Sequence, residues 1–267
     1  MELIGGQAVV EGVMMISPEK VAIAVRKPTG RIVTKVEKRT SLFQRMKKVF
    51  FLRGLFALIE MLHLGMKALI WSSNQSMEKD EHISSLGMAV TLVMSFVIAL
   101  GLFVALPLWI AHLVTRSSFL VNLLDGIVRV VIFLGYLLLI SRMRDVRRLF
   151  EYHGAEHMTV HCHEAKKKLD VDHVRRFPTA HPRCGTAFLF LVLLTSIFIF
   201  SLIWSEQWIM RFVFRLLLIP VVAGVAYELL KFGARHQDKK FFQWLIAPGL
   251  WFQKITTREP DKRQIEV

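Results

Sequence analysis

The first forty residues contain short apolar runs bounded by glycine and proline, a pattern that is typical of strands. Val21–Val25 and Arg31–Val36 flank Lys27-Pro28-Thr29-Gly30, a turn sequence that favours a β-hairpin. The pair Gly5-Gly6 predicts an earlier strand or a close approach of two backbones. We therefore expect residues 1–40 to form a small β unit.

Residues 41–84 have apolar positions at helical spacing, but charges interrupt the pattern. The recurring apolar residues are Leu52, Leu55, Phe56, Ile59 and Leu62, and the interrupting ones are Arg53, Glu60, His63 and Lys67. A charged side chain at the centre of a membrane costs about 2.5–3.5 kcal/mol. The pattern therefore predicts an interfacial amphipathic helix followed by a linker, with basic ends that reach towards water.

Four later segments are predominantly apolar and predict transmembrane helices: about Leu86–Val114, Leu120–Ile140, Ala187–Trp204 and Phe212–Leu230. Each can cross about 30 Å of hydrocarbon at a rise of about 1.5 Å per residue, the third only just. Pro107 predicts a kink in the first of them. Asp125 and Arg129 have the spacing to form an ion pair inside the second. The predicted fold is a mainly α polytopic membrane protein, with spans in residues 85–141 and 187–230.

Composition and charge support this interpretation. The chain is 54% hydrophobic with a mean hydropathy of +0.45, and its net charge is +14. Residues 1–84 contain 13 Lys and Arg, residues 142–186 contain 10 and residues 231–267 contain 8. By the positive-inside rule, both termini, the 142–186 loop and the 231–267 tail face the cytosol. We expect a multi-pass protein of the cytoplasmic membrane that contacts lipids, and we do not expect nucleic acid as its partner.

The most informative chemistry lies in the predicted cytosolic loop, between Tyr152 and Glu164. On a helix, His153 and His157 are one turn apart, with Glu156 beside them. His-x-x-Glu-His is the inverted form of a zinc-protease motif, in which two imidazoles bind the metal and the carboxylate handles protons. We predict Glu156 as the catalytic residue and Zn²⁺ or another divalent transition metal as the cofactor. The predicted metal ligands are His153, His157, His161, His181, Cys184 and Glu228, with Glu164 as an alternative to His161.

A structural role for the same residues stays open. The motif is short, and histidines on a cytosolic helix also cap helices or pair with neighbouring acids. A metal with four protein ligands would leave no position for a substrate. Glu228 has the spacing to pair with Lys231, and Glu11 is either a site carboxylate or a packing residue.

Several blocks of the chain resemble one bacterial family. Gly5-Gly6-Gln7-Ala8-Val9-Val10-Glu11-Gly12, Tyr152–His157, His181–Thr186 and Tyr227-Glu228 are similar to signatures of the YqhQ-like membrane proteins. That family is a domain of unknown function described as a predicted metal-dependent enzyme. The resemblance covers nearly the whole chain. It implies an integral membrane protein and supplies no substrate.

Two functions follow from these observations, and the sequence does not choose between them. One is a metal-dependent hydrolase with its site at the cytosolic membrane face. The other is a non-catalytic partner of a membrane complex, such as the protein secretion or insertion machinery, in which the polar motifs hold cytosolic segments together. A transporter is the weaker third option, because the spans contain few charges and the chain lacks an inverted repeat.

Overall fold

The N-terminal part of the protein is a four-stranded antiparallel meander. The computed structural model describes residues 4–39, 52–76, 85–203, 205, 207–235 and 240–267. The strands are β1 (Gly5–Val9), β2 (Gly12–Ile16), β3 (Lys20–Arg26) and β4 (Ile32–Lys38), and they lie side by side in that order. The predicted hairpin is confirmed: β3 and β4 are joined at Gly30, whose φ of 83° is the left-handed conformation that glycine adopts without strain.

A long helix covers the buried face of the sheet. Helix α1 (Leu52–Ser76) packs Met61, Leu64 and Ala68 against the sheet core. Its charged residues pair with the sheet as well, since Glu60 accepts two hydrogen bonds of 2.9 Å from Arg39. The contact with the sheet explains why charges interrupt the apolar pattern of this helix. Residues 41–51 of the predicted interfacial helix and residues 77–84 of the linker lie outside the described residues.

The apolar middle of the chain is helical. It contains α2 (Ser85–Leu100), a π-helical turn (Gly101–Ala105), α3 (Leu106–Val114), α4 (Ser118–Ile140), α7 (Gly185–Ser201) and α8 (Trp208–Arg235). The predicted irregularity near Pro107 takes the form of the π-helical turn just before it. Proline has no N–H to donate, so the helical ladder rearranges at this position.

By length and composition, the described residues contain four helical segments that are able to cross a membrane: Arg53–Ser76, Val90–Val114, Phe119–Ile140 and Trp208–Gly233. This confirms the predicted class, a mainly helical membrane protein with about four candidate spans and a small N-terminal sheet. Two helices distinguish these four candidate spans from the four that the sequence predicts. Helix α1, which we predicted at the interface, has a hydropathy of 1.4 and qualifies, whereas α7 has 17 residues and is shorter. The end of the predicted third span, Trp204, lies outside the described residues.

The predicted loop and tail also contain helices: α5 (Arg144–Glu164), α6 (Val171–Val174), α9 (Lys240–Thr256) and α10 (Lys262–Glu266). Helix α9 packs closely on α7, where a Cβ on Gly249 would lie 3.0 Å from the Cβ of Ala187. Its Phe252 ring stacks on Phe133 of α4 with centroids 5.6 Å apart. The segment predicted as a tail therefore completes the packing around α5 and α7.

Candidate metal centre

Helix α5 presents its histidines to a segment that crosses it closely. Gly154 lies at the crossing, where a Cβ would come within 2.0 Å of the carbonyl oxygen of Arg258. Only glycine permits that approach. The Arg258 N–H donates a 3.0 Å hydrogen bond to the carbonyl of Phe150, which fixes the crossing segment on the helix.

Three histidines of α5 are oriented by backbone carbonyls. The pairs are His153 Nδ1 with Thr256 O at 2.8 Å, His157 Nδ1 with Thr179 O at 2.5 Å, and His161 Nε2 with Ala180 O at 2.9 Å. A carbonyl oxygen only accepts, so the bonded ring nitrogen carries the proton. In a neutral imidazole, the other ring nitrogen then presents a lone pair. A hydrogen bond of this type, from the second ring nitrogen, is what fixes metal-ligating histidines in proteins.

His153, His157 and Cys184 form the first candidate ligand group. Their donor atoms all lie within 4.8 Å of one another, and the Cys184 sulfur is 3.2 Å from His153 Nε2. Ligand atoms about 2.0–2.3 Å from one tetrahedral zinc ion are about 3.3–3.8 Å apart, so small side-chain movements would complete such a geometry. Cys184 is the residue just before α7, and its sulfur accepts from the N–H of Thr186. Two helices thus supply this donor set.

Burial favours the neutral forms of His157 and Cys184. His157 is buried, and this together with the nearby His153 lowers its pKa to about 3. The His157 imidazole is therefore neutral at pH 7, as a metal ligand must be. Burial raises the pKa of the Cys184 thiol.

Glu156 lies beside the first ligand group, under the N-terminal sheet. One carboxylate oxygen is 3.9 Å from His153 Nε2. A Cβ on Gly6 of β1 would lie 2.8 Å from the Glu156 side chain, so this glycine lets the sheet lie directly on the carboxylate. Burial raises the pKa of Glu156 to about 7. A carboxyl group with a pKa near neutrality can both accept and donate a proton under physiological conditions.

His161, Glu164 and His181 form a second group of similar spacing. His181 uses both of its ring nitrogens: Nδ1 accepts from the backbone N–H of Arg183 at 3.2 Å, and Nε2 lies 3.4 Å from Glu164. Glu164 also pairs with the Arg183 guanidinium. Burial lowers the pKa of His181 to about 4, so this ring is neutral. His181 therefore has no free lone pair for a metal in this arrangement, whereas the Nε2 lone pair of His153 contacts the Cys184 thiol, itself a candidate ligand.

The structure does not bring every predicted site residue to these groups. Glu228 pairs with Arg53 of α1, and neither of the ligand groups found among the described residues includes it. Glu11, which we considered as a site carboxylate, accepts from the Arg148 guanidinium and lies 3.4 Å from the Tyr152 hydroxyl. It fastens the turn between β1 and β2 to α5.

Sequence reasoning missed the groups that orient the site. Gln253 is fully buried; its side chain accepts from the N–H of His181 and donates to the His181 carbonyl, both at 2.8 Å. The orienting carbonyls of Thr179, Ala180 and Thr256 belong to ordinary residues without a motif. A polar glutamine inside the apolar helix pattern of α9 was the one available signal.

The chain belongs to a family of unknown function. The family described as "Protein of unknown function (DUF1385)" matches residues 49–267. The chain is 33% identical to a protein of Bacillus subtilis (strain 168) described as "Uncharacterized protein YqhQ", over 98% of this chain and 89% of that protein. No solved structure matches the chain.

Proposed function

We propose that this member of the family is a membrane-bound metal-dependent hydrolase. His153, His157 and Cys184 would hold Zn²⁺ or a similar divalent ion, and Glu156 would act as the general acid and base. The observation that carries the proposal is the convergence of these three donors, with their rings fixed by backbone carbonyls. Three protein ligands leave the fourth tetrahedral position open, as hydrolysis requires.

A bound zinc ion would supply a water of lowered pKa and polarise the scissile carbonyl or phosphoryl group. Glu156 would take the proton of that water as its oxygen bonds to the substrate, and would return the proton to the leaving group as the old bond breaks. Its position 3.9 Å from His153 Nε2 supports this role. The Thr256 and Thr179 carbonyls would keep both ligand rings in place during the reaction.

We further propose that the site faces the cytosol in the bacterial inner membrane. The N-terminal sheet and the helices α5, α9 and α10 would lie on that side, because the basic residues concentrate there. A substrate would then be a lipid-linked, peptide or phosphate-bearing molecule at the membrane surface. The carboxyl end of α4 and the amino end of α7 flank α5 and Cys184, so the ligands would lie close to the lipid if these helices span the membrane.

Metal analysis of the purified full-length protein tests the proposal. We expect about one equivalent of metal in the wild type and a loss of at least about tenfold in His157→Ala and Cys184→Ser. The matched controls are His173→Ala and Cys162→Ser, because His173 pairs with Asp170 on α6 and Cys162 lies in a separate buried cluster. With Co²⁺ as the probe, Cys184→Ser should lack the thiolate-to-metal absorption band. Equal metal content in all variants would reject the site.

A non-catalytic role within a membrane complex is the second candidate. It is supported by the same histidines, whose bonds to Thr256, Thr179 and Ala180 tie the cytosolic segments together. Such a scaffold would present the basic surface to a partner such as the secretion channel. Crosslinking in native membranes, followed by purification, separates the two functions. A partner that is retained by metal-free His157→Ala would favour this candidate.

A further inference from the structure

A second polar cluster lies inside the apolar helices, away from the histidines. Arg129 of α4 pairs with Asp125 at 2.8 Å, as the sequence predicts, and also donates to the Ser196 hydroxyl of α7 at 3.0 Å. Arg215 of α8 donates to the same Asp125 carboxylate at 2.7 Å. We call Asp125, Arg129 and Arg215 the arginine cluster. It joins three helices, and it contains two guanidinium groups for one carboxylate.

The arginine cluster has N–H groups without acceptors. Within the part of the chain that the structure describes, buried Arg215 Nε and Nη2 and Arg129 Nε have no hydrogen-bond partner. The Arg215 side chain is fully buried. Nε–H and Nη2–H lie on one edge of the planar guanidinium. Together they can donate two parallel hydrogen bonds to two oxygens of a phosphate or carboxylate. The Arg215 guanidinium therefore offers a bidentate pair of N–H donors, and no acceptor in the described chain binds to them.

This arrangement is costly as a purely structural feature. An uncompensated charge in a low-dielectric interior is strongly destabilising, and each buried donor without a partner adds about 1–3 kcal/mol. Arg129 alone would link α4 to α7 through Ser196, with Asp125 of its own helix balancing its charge. The second arginine adds the excess positive charge. Ionisable residues within membrane helices are functional by default for this reason.

The position of the cluster suits a group at the lipid headgroup. Asp125 and Arg215 each follow the start of their helix by seven residues, which is about 10 Å of helix. Helical side chains point back towards the helix start, so the Arg215 guanidinium is carried towards the membrane border. Phe200 covers both guanidinium groups, whose central carbons lie 4.9 and 5.3 Å from its ring centre.

We propose that the arginine cluster is a binding site for a phosphate-type oxyanion, held by the Nε and Nη2 edge of Arg215 and by Nε of Arg129. The anion neutralises the excess charge and satisfies the three open donors. Its source is either the headgroup of an anionic phospholipid or a free phosphate. This site is separate from the histidines, and it does not depend on the proposed hydrolase.

Thermal unfolding of the delipidated full-length protein in uncharged detergent tests the site. Inorganic phosphate is added in one arm and short-chain phosphatidylglycerol in the other. Stabilisation by phosphate in the first arm supports the site with a free anion as its source. Stabilisation by the lipid alone supports the site with a headgroup as its source. Absence of stabilisation in both arms overturns the proposal.

Three variants separate binding from folding. Arg215→Gln should fold, because the neutral Asp125–Arg129 pair remains, and it should weaken binding at least about tenfold. Arg116→Gln is the matched control, an exposed arginine in the connection between α3 and α4, and it should bind as the wild type does. Asp125→Asn raises the excess charge and should bind several-fold more tightly. Unchanged binding by Arg215→Gln, or weaker binding by Asp125→Asn, would contradict the site.

Discussion

The two polar clusters of this protein are opposites in what they leave unsatisfied. Around α5, each ring N–H of His153, His157 and His161 has a carbonyl acceptor, and lone pairs remain. In the arginine cluster the acceptors are used up and N–H groups remain. Nitrogen lone pairs can bind a cation, and N–H groups without an acceptor can bind an anion. The kind of hydrogen-bonding group that is left unsatisfied, rather than the residue type, thus indicates the charge of the ligand at each site.

The largest expected effect comes from removing the shared acceptor of the arginine cluster. Asp125→Ala leaves two buried guanidinium groups without a carboxylate, and it should lower the free energy of unfolding by about 3–5 kcal/mol. Unfolding titrations in mixed micelles measure the change. Phosphate should restore part of the loss. A variant as stable as the wild type would show that the cluster carries no buried charge.

The next largest effect is expected at Glu156, beside the histidines, and it depends on pH. Burial raises the pKa of Glu156 from 4.5 in the unfolded chain to about 7 in the folded protein. The folded protein therefore binds this proton more tightly, and the resulting stabilisation is fully present below pH 4.5 and is lost as the pH rises through 7. In metal-free protein, Glu156→Gln should be more stable than the wild type above pH 7, by up to about 3 kcal/mol. The difference should disappear below about pH 4.5.

Neutral histidines act in the opposite direction. The pKa of His157 is lowered to about 3 and that of His181 to about 4, so their contribution is present above about pH 6.5 and is lost as the pH falls through those values. Both proteins contain these rings, so the comparison of Glu156→Gln with the wild type isolates the carboxyl group. A difference that does not change with pH would contradict the assignment.

A smaller effect should follow from closing the crossing at Gly154. Gly154→Ala places a methyl group within 2.0 Å of the Arg258 carbonyl and should destabilise the protein by about 1–3 kcal/mol, because the crossing segment must move. Since that segment carries Thr256, the variant should also bind metal more weakly. Gly135→Ala in α4 is the control, as nothing lies within 4 Å of its added Cβ. A neutral Gly154→Ala would mean that the crossing is not tight.

The smallest effect is expected at Gln253. Gln253→Ala removes the partners of the buried N–H and carbonyl of His181. Water that enters the vacated space can replace both hydrogen bonds, so the variant should cost about 1–2 kcal/mol. It should weaken metal binding less than Gly154→Ala, because His181 does not belong to the first ligand group. Lys254→Ala, on an exposed neighbour, is the matched control. Unfolding titrations of both variants decide the point.

The sequence predicted the elements that depend on local patterns. The β3–β4 hairpin, the histidine-bearing helix and the Asp125–Arg129 pair each depend on spacing within one segment, and the structure has all three. The convergence of His153 and His157 with Cys184 required only that the end of α4 and the start of α7 lie at the same end of the helix bundle.

Contacts between distant segments could not be predicted in the same way. Arg215 joins Asp125 across 90 residues, and Glu228 meets Arg53 across 175. The orienting carbonyls of the histidines are backbone groups, which every residue has, so no residue type reveals them. Helix α1 is apolar enough to cross a membrane although Glu60 pairs with Arg39 next to β4 and Arg53 pairs with α8, because composition does not register where a charge finds its partner.

The crossing of the Thr256–Arg258 segment over α5 sets the order in which the protein is completed during synthesis. His153 emerges from the ribosome about one hundred residues before the carbonyl that orients it, and Gln253 follows the whole of α8. The apolar helices α7 and α8 are therefore synthesised before the histidines of α5 can meet these partners. Under the proposed function, an ion would be bound only after α9 and α10 have docked on α7 and α5.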